Sequence, residues 1–371
     1  EMSASLVGSE MCIRDRCKAA LGLTLQEAEN AFALAMVNDG KIDGKDLNVI
    51  LAEKMQVIKK TGILEFINTD IKISDIGGLE NLKSWLNKRN NSWSEAAKKY
   101  CLPAPKGVLI TGVPGCGKSL TAKAMSAAWQ LPLLKLDFGK IFSGIVGSSE
   151  ENMRRAIKTA EAVAPSILWV DEIEKSLSGM NSNGDSGTSS RIFGTFLTWM
   201  QEKTAPVFVI ATANNISSLP AELLRKGRFD EIFFVDLPTE REREEIFKLH
   251  LMKRLKNSDV ASKIDLTSEL FKELASQTEG FVGAEIEQVV ISALYEAFFN
   301  NRPLEVQDLI NTIKNVVPLS VTQKEQILSL RQWANIRAVA ATRKDDMAHY
   351  GSKNDSEEDV NASRGGRALD V

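Results

Sequence analysis

The sequence predicts an α/β chain, a five-stranded parallel sheet followed by a purely helical segment. Three observations predict it. From about residue 73 to 238, short apolar runs alternate with stretches of helical length, as strands and crossover helices of a parallel sheet do. After Pro238 the apolar runs stop and only helical periodicity remains. Between the first strand and its helix lies a glycine-rich run with Gly112, Gly115 and Gly117, a junction that needs backbone freedom.

Residues 1–17 read as a non-native or disordered leader, because the run from Ser5 to Arg16 lacks any period and resembles a translated sequencing-adapter read. Residues 18–72 read as the helical remnant of an N-terminal domain. Thr24 and Glu27 form a capping box that opens a helix through Ala28, Phe32, Ala35 and Met36. A second helix carries Leu47, Ile50, Leu51, Met55 and Ile58 on one face and stops near Gly62. The core follows at 73–238, with strands expected at 107–113, 131–137, 166–171, 207–212 and 231–236. A polar loop at 181–190 separates the third strand from the fourth. Thr239 and Glu242 form another capping box, and three or four helices run to the end of a small helical unit, 239–318. The clearest spans 284–299, with Ile286, Val289, Val290, Ala293, Leu294, Ala297 and Phe298 as its core-facing stripe. A last helix is expected at 323–341 within a C-terminal segment 319–343, and the polar tail 344–371 reads as disordered.

Composition excludes several classes. The 371 residues are 43% hydrophobic and 26% charged, which suits a soluble globular protein with two or more domains. A net charge of −3 argues against general nucleic-acid binding, and no apolar run is long enough to span a bilayer. The four cysteines, Cys12, Cys17, Cys101 and Cys116, have no zinc spacing, and a reducing compartment such as the cytoplasm follows.

The chemistry starts at the glycine-rich run. Gly112, Val113, Pro114, Gly115, Cys116, Gly117, Lys118 and Ser119 fit G-x-x-x-x-G-K-S between a strand and a helix that begins near Leu120. Glycines let N–H groups wrap phosphate oxygens, and the helix N-terminus adds partial positive charge. Lys118 would reach the β- and γ-phosphates of ATP, and the Ser119 hydroxyl would ligate Mg²⁺. The third strand ends in two carboxylates: Asp171 would help hold Mg²⁺, and Glu172 would accept a proton from the attacking water. Asn214, at the end of the fourth strand, would reach toward the γ-phosphate or its water. Arg225 and Arg228 would project onto the γ-phosphate of a neighbouring subunit, a role suited to a permanently charged, forked donor.

Asp75 to Leu79, the phosphate loop, the acidic strand, Thr212 to Asn214, Arg225 to Arg228 and Gly280 to Ala284 follow in the order of the AAA ATPase family, which the chain resembles from about 73 to 318. The flanking helical segments resemble the hypothetical-reading-frame AAA proteins of cyanobacteria and plastids, which would place the chain in a plastid stroma if plastid-encoded. The resemblance implies the P-loop NTPase fold with a small helical lid, Mg²⁺-dependent ATP hydrolysis, and a ring of six copies that remodels a protein partner. It implies Ile76 and Gly77 packing on adenine, with Gly283 and Ala284 approaching the nucleotide from the lid. Two positions depart from the family pattern. Ile145 stands where many ring translocases carry an aromatic residue, and Lys226 replaces the usual proline between the arginines. A slow, ATP-gated binding or regulatory module is the other reading. A DNA-directed loader is disfavoured by the acidic balance.

Overall fold

The computed structural model describes residues 25–39, 62–68, 71–90, 92–93, 95–142, 148–175, 186–225, 227–261 and 264–343. Within them, the expected first helix is α1, Leu25–Asp39. The leader, the second N-terminal helix, Ile145, Lys226 and the tail lie outside the described residues.

All five expected strands form. They are β2 Gly107–Gly112, β3 Leu133–Leu136, β4 Ser166–Val170, β5 Val207–Ala213 and β6 Glu231–Val235, every neighbouring pair parallel. Among the described residues, two further strands extend the sheet. β1, Leu64–Ile67, pairs antiparallel with β3 in the register Leu64 to Leu136, where the sequence predicts helix. Its leucine, phenylalanine and isoleucine favour extended backbone, and the free edge of β3 supplies the ladder. β7, Val339–Ala340, pairs with β6, Phe233 opposite Val339. The last helix therefore ends at Arg337, short of the expected 341, because Ala338 is extended and the chain turns to satisfy the β6 edge.

The strand order is β1-β3-β4-β5-β2-β6-β7. The chain reaches β3 and β4 on one side of β2 before returning to β6 on the other, so the crevice beyond the C-terminal end of β2 lies at a topological switch point. Helices of eight residues or more besides α1 are α2 Glu80–Lys88, α3 Lys118–Trp129, α4 Ser148–Ala162, α5 Ser186–Glu202, α6 Glu240–Arg254, α7 Ser268–Ser276, α8 Gly283–Phe299, α9 Val306–Asn315 and α10 Lys324–Arg337. Alternation along β2 splits the core between the two faces of the sheet. Leu109 packs with Phe196 and Val209, while Val108 and Ile110 pack with Leu82, Met125 and Phe208.

The helices after Pro238 bury a separate core of Phe247, Leu251, Leu274, Ile286, Val289, Val290 and Ala293. The α8 stripe is as expected except for Phe298, which is exposed. Ala297 returns to the face of Ile286 after eleven residues, whereas Phe298 lies about 120° around the helix from it.

Candidate functional site

β2 is buried at every position and delivers the chain to the phosphate loop without slack. Gly112, at φ 138°, is required there: a Cβ would meet the Val235 carbonyl oxygen at 1.9 Å. Gly117, at φ 86°, is the left-handed residue from which α3 springs, leaving the first N–H groups of α3 facing the loop. Lys118 is buried and its Nζ donates to the carbonyls of Gly112 and Val113 at 2.8 and 2.7 Å. Burial lowers its pKa to about 8, against the opposing pull of Glu174, Glu172 and Asp171. Burial likewise pushes the Cys116 thiol up to about 12, so it is a neutral packing group.

Ser119 and the acidic strand meet directly. Ser119 Oγ donates to Asp171 Oδ1 at 2.9 Å, and Thr212 Oγ1 donates to the same oxygen at 2.7 Å. The Thr212 hydroxyl also accepts from the Glu172 backbone N–H at 2.9 Å, which pins the turn just after β4. Glu172 has φ +49°, an uncommon left-handed conformation for a side chain of its type. The turn separates the two carboxylates: Asp171 faces Ser119, and Glu172 accepts from Asn214 Nδ2 at 2.8 Å. Lys175 pairs with the other Glu172 oxygen. Glu174 is buried and accepts from the Asn214 backbone N–H at 2.9 Å, fixing the strand end that carries Asn214.

Lys118, Ser119, Asp171, Glu172, Thr212 and Asn214 line one cavity of about 460 Å³, closed by the helices after Pro238; Gly112, Val113, Glu174 and Lys175 lie outside its lining. Ile76 and Gly77 form one wall, with Ile246, Leu249 and His250 of α6 beside them. Gly283 and Ala284 open α8 and line the same cavity, where Ala284 N–H donates to the Gly115 carbonyl at 3.0 Å. A Cβ on Gly115 would meet Val282 Cγ2 at 2.9 Å, so the close approach of lid and loop needs that glycine. Burial depresses the His250 imidazole below its ordinary range, with Glu287 opposing and Arg254 and Lys253 reinforcing the shift.

The residues fit a magnesium-bound nucleoside triphosphate. Gly115 and Gly117, both at positive φ, line the cavity beside Lys118 and Ser119 at the start of α3, and the cavity has room for a nucleotide. Ser119 and Asp171 are hard oxygen donors of the kind Mg²⁺ takes. Among the described residues no cluster of three or more His, Cys, Asp or Glu forms a metal cage, so phosphate oxygens and water would complete the shell.

Sequence comparison agrees with this geometry. The model of the ATPase family associated with various cellular activities (AAA) matches residues 108–237, and the AAA+ lid domain model matches 268–309. The chain contains an AAA ATPase domain with its lid. A model of the second domain of SpoVK-like AAA ATPases matches 14–61, in the segment read as an N-terminal remnant. The chain is 49% identical over 318 residues to the uncharacterized AAA domain-containing protein ycf46 of Guillardia theta, covering 86% of this chain and 62% of that protein. It is 49% identical to the Pyropia yezoensis protein of the same name, covering 85% and 63%. The chain thus spans about three fifths of the length of these curated relatives. An ATPase family protein 2 homolog of Caenorhabditis elegans is 33% identical over 64% of this chain and 32% of its own length. The crystal structure of the FIGL-1 AAA domain shares the fold, with a TM-score of 0.61 at 21% identity, over 77% of this chain and 96% of that one.

Arg225 and Arg228 stand apart from the AAA cavity of their own chain. Neither lines it; Arg225 lies 4.0 Å from Glu222 on the surface, and Arg228 donates to the Glu222 carbonyl. Sequence reasoning missed Thr212 as the bridge between the carboxylates, and it missed the α6 wall, Glu242, Ile246, Leu249 and His250. The i, i+4 spacing of Glu242, Ile246 and His250 put them on one helix face, but nothing in sequence says that face turns to the nucleotide. No helix among the described residues is long and apolar enough to cross a membrane.

Proposed function

We propose that this AAA ATPase binds Mg²⁺-ATP in the cavity between core and lid and hydrolyses it. The observation that carries the reading is the hydrogen-bonded chain Ser119–Asp171–Thr212–Glu172–Asn214 at the mouth of the phosphate loop. It supplies a metal-binding pair, a separate carboxylate and a polar partner for that carboxylate within one cavity.

Bound Mg²⁺-ATP supplies the β–γ phosphoanhydride to be cleaved and a cation that draws charge from its phosphates. Lys118 holds phosphate oxygens by giving up its bonds to the loop carbonyls. Ser119 and Asp171 hold the metal, while Glu172 accepts a proton from the attacking water and Asn214 orients the Glu172 carboxylate. Ile76, Gly77, Gly283 and Ala284 enclose the base and exclude water. Arg225 and Arg228, idle with respect to their own site, act on the γ-phosphate of a neighbouring copy, and a ring of six follows from the family resemblance. Movement of the lid would convert hydrolysis into remodelling of a protein partner. A reducing compartment, cytoplasm or plastid stroma, suits the free cysteines Cys101 and Cys116.

The pairing of both Glu172 oxygens favours a second reading. A base held by Asn214 and Lys175 suits a slow, ATP-gated module that turns over only when a partner releases it. Glu172→Gln tests the central role of this carboxylate. Phosphate release should fall by about 10²-fold or more while ATP stays bound; turnover near wild type would remove Glu172 from the mechanism.

A further inference from the structure

Glu242 does more than cap a helix. The residue is 5% exposed, and it lines the cavity beside Leu79. A buried carboxylate must collect hydrogen bonds to offset its lost hydration. Glu242 collects them from its own helix cap and from two distant segments. Oε2 accepts from Thr239 N–H at 2.9 Å, completing the α6 capping box with the Thr239 hydroxyl. Oε1 accepts from Leu79 N–H at 3.0 Å and from the Thr342 hydroxyl at 3.0 Å.

The turn it grips is under conformational tension. Gly78 and Leu79 are consecutive left-handed residues, φ 70° and 61°, directly after Ile76 and Gly77. For Leu79 that conformation costs about 1–2 kcal/mol. A Cβ on Gly78 would fall 2.3 Å from Glu242 Oε1, so turn and carboxylate interlock. Glu245, one helical turn on, accepts from Gly78 N–H at 2.9 Å. The C-terminal segment closes the arrangement from outside. The Ala341 carbonyl accepts from the N–H groups of Asn81 and Leu82 at the start of α2, and Asn81 Nδ2 donates to the Thr342 carbonyl at 2.8 Å.

We propose that Glu242 is the positioning residue for the nucleotide base, and that it holds turn 76–79 jointly with Thr342, which makes C-terminal segment 338–342 part of the nucleotide site. The proposal rests on the reading that the cavity binds ATP. Docking of the segment after β7 and grip on the base are then one event, because both end on Glu242 Oε1.

Affinity for two ligands separates the base end from the phosphate end. The full chain and its Glu242→Ala, Glu242→Gln and Thr342→Val variants are titrated with ATP and with inorganic tripolyphosphate, both with Mg²⁺. Glu242→Ala should weaken ATP about tenfold or more and tripolyphosphate less than about twofold. Thr342→Val should move ATP affinity in the same direction by about threefold or more, and the double variant should match Glu242→Ala within about twofold, because the two act through one contact. Glu242→Gln keeps one acceptor and should fall between. The KM for ATP should rise in step, with kcat nearly unchanged. Equal loss of both ligands, or wild-type ATP affinity in Glu242→Ala and Thr342→Val, would overturn the proposal. If Glu242→Ala does not fold, Thr342→Val, which removes one hydroxyl, decides alone. A wild-type chain that binds tripolyphosphate but gains nothing from the base would refute the base turn itself, and one that binds neither would refute the nucleotide reading.

Discussion

Asn214 and Lys175 hold the Glu172 carboxylate from opposite sides, Asn214 Nδ2 at 2.8 Å from Oε1 and Lys175 Nζ paired with Oε2. The two partners have different natures. Asn214 is fixed by its own backbone bond to buried Glu174, whereas the Lys175 side chain is 70% exposed. Substitution should therefore act with opposite signs. Asn214→Ala should lower kcat by about 10–10²-fold with ATP affinity kept, since the carboxylate loses its orienting partner. Lys175→Ala should raise basal kcat by about two- to fivefold, since an exposed ion pair is readily given up and its loss frees one oxygen. Steady-state phosphate release with a fluorescent-nucleotide titration checks both.

Lys118 ties nucleotide affinity to pH. Burial depresses its pKa from 10.5 to about 8, so the free protein loses this ammonium as pH rises through about 8. Bound phosphates favour the charged form, so binding above that pH must take up a proton. ATP affinity should then fall by up to about tenfold per pH unit between pH 8 and 10. Calorimetry in buffers of different ionisation enthalpy reads the proton uptake directly. The sign for stability is the reverse. A lysine whose folded value lies below its unfolded value penalises the fold at neutral pH, and the penalty lifts as pH rises from about 8 toward 10.5.

Gly112 is a structural requirement as much as a phosphate contact. Its φ of 138° and the 1.9 Å approach of a Cβ to the Val235 carbonyl oxygen leave no relaxation short of separating β2 from β6. Gly112→Ala should cost at least about 3 kcal/mol in urea unfolding, before any effect on nucleotide. A cost below about 1 kcal/mol would show that the strand pair yields.

Much of this was legible in the sequence, for physical reasons. The three central strands β2, β4 and β5 are buried at every position, so they read as continuous apolar runs ending in glycine, carboxylates or asparagine, and the phosphate loop, Asp171, Glu172 and Asn214 follow from where those runs stop. β1 was not legible: four residues with two half-buried side chains carry too little alternation, and the partner β3 is about seventy residues away. β7 was hidden for a similar reason, since Val339 and Ala340 continue the helical pattern of α10 until the edge of β6 claims them. The capping box of Thr239 and Glu242 was visible, but the second duty of Glu242 depends on Leu79 and Thr342, which local spacing cannot bring together.

The central claim is that this cavity hydrolyses ATP with arginines lent by a neighbouring copy. Steady-state ATPase rate per subunit, measured over a wide range of protein concentration with Lys118→Ala as the blank, tests it most directly. The account predicts a rate that climbs with concentration, disappears in Arg228→Ala, and returns in part when Arg228→Ala is mixed with Lys118→Ala, because the Lys118→Ala copy lends Arg228 to the intact cavity of the Arg228→Ala copy. A rate at the level of the blank at every concentration, with ATP bound, would contradict it.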